Sequence, residues 1–330
     1  MADDHAATYL PAAHRALEAF ALDVTSTALV TVSENVTFKV GTSEGAYVLR
    51  LHRPGYHDLA ELESERLWIR ALGAAGIDVP SPVRTRDGRE YTRVDVRASG
   101  EQRYAGLTHW TEGEVLFDVL ERLHDVATIE AYYEQLGALA AAMHDQATAW
   151  CVPVGFKRHS LDEDGLLGPT PFWGPFWEHP IFTAPERRLV IRVRDRIRER
   201  LVKFGRNAST YSLIHADLHS GNVLVHDGRL MVIDFDDAGF GWHPYDIAVA
   251  LGYQRRHAHF AAMERAFVAG YRARRALPEP VLALVPTFMM VRDMAVLGWI
   301  HQRPELERTD AGRIRDRLCA QCERYLAEDR

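Results

Sequence analysis

Two short hydrophobic runs, each ending in a polar cluster, constrain this 330-residue chain more than any other feature. Leu213-Ile214 leads into His215-Ala216-Asp217-Leu218-His219-Ser220-Gly221-Asn222, after which Val223-Leu224-Val225 is apolar again. A little further on, Met231-Val232-Ile233 runs straight into Asp234-Phe235-Asp236-Asp237. Short β-branched runs bounded by turn-forming residues are buried strands, so the spacing predicts a strand, a polar loop, a second strand, and a third that delivers carboxylates at its end. Polar groups held on loops between packed strands are in the position that chemistry requires.

The rest of the chain changes character part-way. Leu10, Leu17 and Phe20 predict a short helix over residues 10–20. Thr27–Val32, Thr37–Gly41 and Ala46–His52 then read as an antiparallel meander, with a turn at Gly45. Apolar residues at 59, 62, 69 and 72 make Leu59–Leu72 an amphipathic helix. Glu90–Val96 and Arg103–Trp110 are further strands, whereas Thr128–Gln146 and Pro185–Phe204 are helices. The segment Thr108-His109-Trp110-Thr111-Glu112-Gly113 therefore divides a strand-rich part, 1–107, from a helix-rich part, 114–330. The fold class is α+β.

Bulk properties exclude several functions. Thirty-nine basic residues against 46 acidic ones give a net charge of −7, unsuited to binding the phosphate backbone of nucleic acid and better matched to a cationic small molecule. Cys151, Cys319 and Cys322 are too few for a disulfide framework, and Cys319-x-x-Cys322 lacks the second pair of a structural zinc site, so it reads as two thiols on one helix face. The opening Met1-Ala2-Asp3-Asp4-His5 has no secretory character, and a cytoplasmic location is expected. Val281–Ile300 is the longest apolar stretch, but Pro286, Arg292 and Asp293 interrupt it, so it reads as a buried helix and no membrane association is expected.

Phosphoryl transfer from a nucleotide requires a group that orients or deprotonates the acceptor hydroxyl, and oxygen ligands for the magnesium that bridges the phosphates. Asp217, Asn222 and Asp234 supply that set: Asp-x-x-x-x-Asn on one loop and an aspartate at the end of the next strand, 17 residues after the first. Asp217 is the candidate catalytic base, and Asn222 and Asp234 are the candidate Mg2+ ligands. His215 and His219 flank Asp217 and admit a rival reading as a metallohydrolase site, for which no third histidine stands nearby in a suitable motif.

With these motifs the chain resembles the aminoglycoside phosphotransferase and choline kinase superfamily, from about Val30 to Leu251. In finer detail, Leu49-Arg50-Leu51-His52-Arg53-Pro54-Gly55-Tyr56, Gly165-Leu166-Leu167-Gly168 and the repeated Phe-Trp of Pro171–Trp177 are similar to homoserine-kinase-like and RdoA-type bacterial phosphotransferases. The resemblance implies a protein-kinase-like two-lobed fold. Its N-lobe, 1–107, is an antiparallel sheet plus one helix, its hinge is 108–113, and its C-lobe, 114–330, is mainly helical. It further implies that Arg50 takes the place of the phosphate-contacting lysine, with Glu65 as its helix partner, and that Pro244-Tyr245-Asp246-Ile247-Ala248 is a structural motif. Arginine keeps the charge but brings a planar fork that needs different room. The loop Thr31–Thr37 has no glycine, so Ser33, Asn35 and Thr37 are the candidates for covering the phosphates, equally with a plain connecting turn. The hinge residues His109, Trp110 and Thr111 would meet the nucleotide base through their backbone.

Three residue groups keep two readings. His219 serves the loop or stabilises phosphate charge. Asp236 and Asp237 are solvated acids, or Asp236 assists the metal site. Phe172, Trp173, Phe176 and Trp177 are a core or a cation–π wall. Only nine residues separate Asp234 from Pro244, which leaves no space for a long activation segment. The expected activity is thus an Mg2+-dependent kinase that uses ATP (or GTP) and acts on an amine-bearing small alcohol. An RdoA-type protein serine/threonine kinase and a non-catalytic nucleotide-binding module are the alternatives.

Overall fold

A computed structural model describes residues 2–304 and 310–328, with side chains from Ala6 onward. The expectation placed on Met1–His5 rests on side chains outside that description. In chain order the first elements are α1 (Ala2–Leu17), β1 (Val24–Val32), β2 (Val36–Thr42), β3 (Ala46–Leu51), α2 (Leu59–Ala74), β4 (Pro82–Val83), β5 (Tyr91–Val96) and β6 (Glu101–His109). The strands form one antiparallel sheet in the order β1-β2-β3-β6-β4, with β5 also paired to β6.

Alternation decides what each face of this sheet does. Val36, Phe38 and Val40 on β2, and Tyr47, Leu49 and Leu51 on β3, point to a core closed by Ala12, Ala13, Ala16 and Leu17 of α1 and by Phe20. Arg50 sits between these inward residues, paired across the ladder with Thr37 and Gly106, and so presents its side chain on the opposite face. Here α2 supplies Glu65, and Arg66, whose Nε donates to the Tyr91 hydroxyl at 2.8 Å. A reciprocal capping box starts α2: Asp58 accepts from the Glu61 N–H, and Glu61 accepts from the Asp58 N–H, each at 3.0 Å. Both helices stand where the spacing indicates, and α1 begins eight residues earlier than its apolar residues suggest. Its first turns carry no apolar stripe, and it tolerates Pro11 inside the helix.

The chain continues through β7 (Glu114–Val115), α3 (Leu116–Arg122), α4 (Val126–Ala149), β8 (Ser160–Leu161), α5 (Glu163–Leu167), α6 (Ala184–Phe204), β9 (Tyr211–Ile214), β10 (Val223–His226), β11 (Arg229–Val232) and β12 (Gly239–Trp242). It ends in α7 (His243–Gly252), α8 (Phe260–Arg274), α9 (Glu279–Leu282), α10 (Val285–His301) and α11 (Ala311–Glu328). Two compact units result. The first holds Met1–Glu114, Cys151–Arg158 and Leu224–Asp236, and the second holds Val115–Trp150, His159–Val223 and Asp237–Arg330.

Named contacts explain why two later segments join the first unit. The Lys157 N–H donates to Ser64 Oγ at 2.8 Å, and the Lys157 ammonium pairs with Asp58, which fastens 151–158 to α2. The Val232 N–H donates to the Asp78 carbonyl at 3.2 Å, Arg229 pairs with Asp78 at 3.0 Å, and Phe235 meets the edge of Trp68 with 5.6 Å between ring centroids.

In the second unit α4 and α8 pack backbone to backbone. A Cβ at Gly137 would lie 2.0 Å from the Phe267 carbonyl oxygen, and one at Gly270 would lie 1.9 Å from that of Glu134. β12 pairs parallel with β8 and antiparallel with β9. The α9–α10 stretch is long and apolar enough to pass for a membrane span by composition, but most of it is buried within the unit. On α11 Cys322 is buried, with Sγ 3.9 Å from Met290 Sδ, and Cys319 is half-buried three residues away on the same helix face.

Candidate active site

In the second unit the strand β9 ends at Ile214, and the buried Asp246 of α7 organises the turn after it. Its carboxylate accepts the backbone N–H groups of His215 at 2.9 Å and Ala216 at 2.6 Å. That grip lets Ala216 hold φ +66°, a left-handed conformation that costs a non-glycine residue free energy and turns the chain sharply before Asp217. Behind Asp246 stands His144, its Nε2 3.2 Å from Asp246 Oδ2 and its Nδ1 2.9 Å from the Tyr271 hydroxyl. Burial raises the Asp246 carboxyl to about 6 and lowers the His144 imidazole to about 3.

Both Asp217 oxygens are addressed. Asn222 Nδ2 donates to Oδ2 at 2.8 Å and to the Asp217 backbone carbonyl at 2.9 Å, and Arg292 from α10 pairs with Oδ1. His219 Nδ1 accepts the Gly221 N–H at 3.0 Å, so the ring proton belongs on Nε2, which lies 3.4 Å from Asp217 Oδ2. The His219 ring stacks on Tyr253 at 4.6 Å. Burial alone would raise the Asp217 carboxyl, yet His219 and Arg292 hold it well below the usual carboxylate range. The result is an ionised, oriented carboxylate that can accept a hydrogen bond from a hydroxyl.

In the first unit β11 delivers Asp234 at φ +64°, and Arg50 Nη1 donates to its Oδ1 at 2.8 Å. Burial would lower the Arg50 guanidinium, but Asp234, Asp236 and Glu65 push it above its ordinary value, so it is always charged. Glu65 is buried in the same region, but its ion-pair partner is Arg158, 3.7 Å away, rather than Arg50. Asp236 is not a solvated loop acid. It is buried, its Oδ2 accepts from Asn35 Nδ2 at 3.0 Å, and His52 lies 3.6 Å from its Oδ1. Burial acts to raise its carboxyl, but His52, Arg50 and His57 hold it well below the usual range.

The other expected residues divide. Asn35 has both ends of its amide engaged, since Oδ1 also accepts the Arg53 N–H at 2.9 Å, whereas Ser33 is exposed. The His109 and Trp110 N–H groups donate to the carbonyls of Ser81 and Ala46, each at 2.9 Å, and Lys39 lies over the Trp110 ring at 3.9 Å. Thr111 is half-buried. In the Phe-Trp loop Trp173 and Phe176 are core residues, Phe172 stacks on His159 at 3.6 Å, and Trp177 carries Arg194 at 4.4 Å. The cation facing Trp173 is the protein's own Arg292, at 5.8 Å.

This geometry has known counterparts. A model of the phosphotransferase enzyme family (APH) matches residues 28–281. The chain belongs to that family. The solved structure of a microcompartment-associated aminopropanol kinase is 32% identical, with a TM-score of 0.82 over 97% of this chain and 98% of that one. The amicoumacin kinase of Bacillus subtilis is 24% identical over 290 residues, which cover 83% of this chain and 79% of the relative. An amicoumacin kinase solved with AMP-PNP, Ca2+ and Ami shares the fold, at 21% identity and a TM-score of 0.79 over 98% of this chain and 96% of that one. As a member of the phosphotransferase family the chain is an enzyme, a kinase with a protein-kinase-like fold, as the resemblance in its motifs implies.

Each unit carries an oxygen donor of the kind a hard cation takes. Because Asn222 commits its amide nitrogen to Asp217, the carbonyl oxygen is the end left for a metal, and Arg50 engages only Oδ1 of the partly exposed Asp234. The imidazoles serve the loop instead: His215 Nδ1 accepts the Asp217 N–H at 3.2 Å, as His219 Nδ1 accepts that of Gly221. Among the described residues no group of three or more His, Cys, Asp or Glu side chains is arranged around a metal position.

Arg292, the partner of Asp217, and Arg158, the partner of Glu65, belong to no motif. Arg292 carried a signal, as a charge inside an apolar run that must be buried, and such a charge needs a partner. Arg158 carried none.

Proposed function

We propose that this phosphotransferase moves the γ-phosphate of ATP (or GTP) to a hydroxyl of a small amine-bearing alcohol in an Mg2+-dependent reaction. Asp217 accepts a hydrogen bond from the acceptor hydroxyl and orients it for in-line attack; in a loose transition state positioning matters more than early proton removal. This suits a carboxylate whose basicity His219 and Arg292 have lowered. Asn222 and Asp234 would hold Mg2+, whose charge offsets that of the phosphates. Arg50 adds a permanent cation beside Asp234, Ser33 and Thr37 remain for the phosphates, and Asn35 and Glu65 brace the first unit. The hinge residues His109, Trp110 and Thr111 meet the base, mainly through carbonyl groups, since two of their N–H groups are already donated. The exposed ring of Tyr253, stacked on His219, supplies aromatic surface beside the catalytic loop for an ammonium group.

The observation that carries this reading is the ionised Asp217 held by Asn222 and Arg292 in a chain 32% identical to an aminopropanol kinase. A coupled ADP-release assay against amino alcohols, amino sugars, hydroxy amino acids and a generic protein substrate tests it. ADP release that depends on one amine-bearing small-molecule class is expected. Release with protein alone would favour the protein-kinase reading, and nucleotide binding without release would favour a non-catalytic module.

A further inference from the structure

In the first unit the α2 glutamate and the cation on β3 do not pair with each other, and this exchange of partners leaves Arg158 with an unexpected set of contacts. Its side chain is 1% exposed. Nη1 lies 3.7 Å from Glu65 Oε2 and donates to the Glu61 carbonyl at 3.3 Å, so one side of the guanidinium is fixed to α2. Nη2 donates to the Phe235 carbonyl at 3.3 Å and also to that of Asp236. The Asp236 carbonyl receives a second donor, His57 Nε2, at 2.8 Å. The two residues after Asp234 are therefore tied to α2 through one planar fork.

The need for such a tie comes from the backbone of Asp234. At φ +64° it occupies a region that an aspartate enters only at a cost, and a strained turn persists when its surroundings over-determine it. Arg50 holds the Asp234 side chain, but a side-chain contact does not fix where the next two peptide planes lie. Arg158 does, because a guanidinium offers several donors in a rigid geometry that a lysine cannot copy.

We propose that Arg158, with Glu65 as its counter-ion, is a positioning residue for the metal-binding carboxylate Asp234. In this arrangement Glu65 acts on the metal side of the site, and Arg50 is released from the helix to pair with Asp234 directly. The inference rests on the proposed role of Asp234 as a metal ligand. It assigns Glu65 to a different partner from the one the family resemblance implies, and it gives a role to a segment, 151–158, that no motif marks.

The test is a metal-binding measurement on the full chain, with Mn2+ as the probe. Mn2+ affinity is read from water-proton relaxation in the presence of AMP-PNP, and AMP-PNP affinity is read separately without metal. Arg158→Met, Arg158→Lys and Glu65→Gln are compared with the unaltered protein, and thermal melting monitors folding. We expect Mn2+ affinity to fall about 10–100-fold in Arg158→Met, the size seen when groups supporting a metal ligand are removed. Arg158→Lys should recover only part of it, and metal-free AMP-PNP affinity should stay within about 2-fold of the unaltered protein, below the loss expected of a metal-supporting group. Unchanged Mn2+ affinity overturns the proposal. So does an equal loss of metal-free AMP-PNP affinity, because Arg158 and Glu65 would then act on the phosphate side. Should Arg158→Met fail to fold, Arg158→Lys and Glu65→Gln carry the same comparison. Asp234→Asn separates the two levels. If it binds Mn2+ as well as the unaltered protein, the metal reading fails and the proposal with it; if it loses Mn2+ while the Arg158 variants do not, the proposal alone fails.

Discussion

Asp217 depends on residues far away in sequence. Arg292 pairs with it from 75 positions away, and Asp246 sets the loop by holding Ala216 from 30 positions downstream of that residue. Replacing Arg292 by Met leaves the Asp217 carboxylate without its permanently charged partner. We expect a loss of about 1–3 kcal/mol of stability, the usual cost of an unsatisfied, partly buried polar group, together with a fall in kcat. Chemical denaturation and steady-state kinetics on the same preparation check this, and full stability with full kcat would contradict it.

At the scale of elements, the helix pair α4–α8 rests on two glycines set among buried apolar residues such as Leu136 and Phe267. The added methyl of Gly137→Ala would meet a backbone carbonyl that cannot move without shifting α8, so a loss of about 1–3 kcal/mol or more is expected. Gly312→Ala on α11 is the control. Its new Cβ has nothing within 4 Å, and alanine is the better helix former, so melting should be unchanged or slightly raised. Strand and helix types were legible where periodicity records burial: the meander of Phe38, Tyr47 and Leu49 and the amphipathic α2 stand where their patterns place them. The placement of Asp217 and Asn222 on a loop between strands was legible because a sharp turn between short strands leaves little freedom in spacing. What did not show is pairing across long sequence separations. Nothing in Cys151–Arg158 announces that Arg158 will meet Asp236, 78 positions later, because the contact depends on how α2 lies on the sheet. For the same reason Glu65 was assigned to Arg50, its neighbour in the pattern of related kinases, when geometry gives it to Arg158.

For the molecule as a whole, buried histidines predict an acid-sensitive fold. His144 and His243 stack at 4.2 Å, and burial lowers both imidazoles, His144 to about 3. A group whose folded value lies below its unfolded value contributes stability that is present above the unfolded value, about 6.5, and lost as pH falls. Each histidine thus removes about 1.4 kcal/mol per pH unit on the way down. Asp246 acts in the opposite sense. Its carboxyl, raised to about 6, contributes stability that is present in acid and lost as pH rises, which offsets one histidine between about pH 4 and 6. Stability should therefore fall by about 1.4 kcal/mol per pH unit between about pH 6 and 4, where two histidines act against one carboxyl. His144→Gln should reduce that slope by about 1.4 kcal/mol per pH unit, as read from urea unfolding at several pH values.

In the proposed reaction Asp217 serves phosphoryl transfer to a small alcohol. The most direct measurement follows the phosphorylated acceptor by mass and 31P resonance, for the unaltered protein and Asp217→Asn, with Mg2+, ATP and the acceptor that the ADP-release screen identifies. A new phosphate ester is expected in step with ADP, with a rate about 10²–10⁴-fold lower in Asp217→Asn while that variant remains folded. Ester formation at the full rate in Asp217→Asn, or ADP release with no ester on any acceptor, would contradict it.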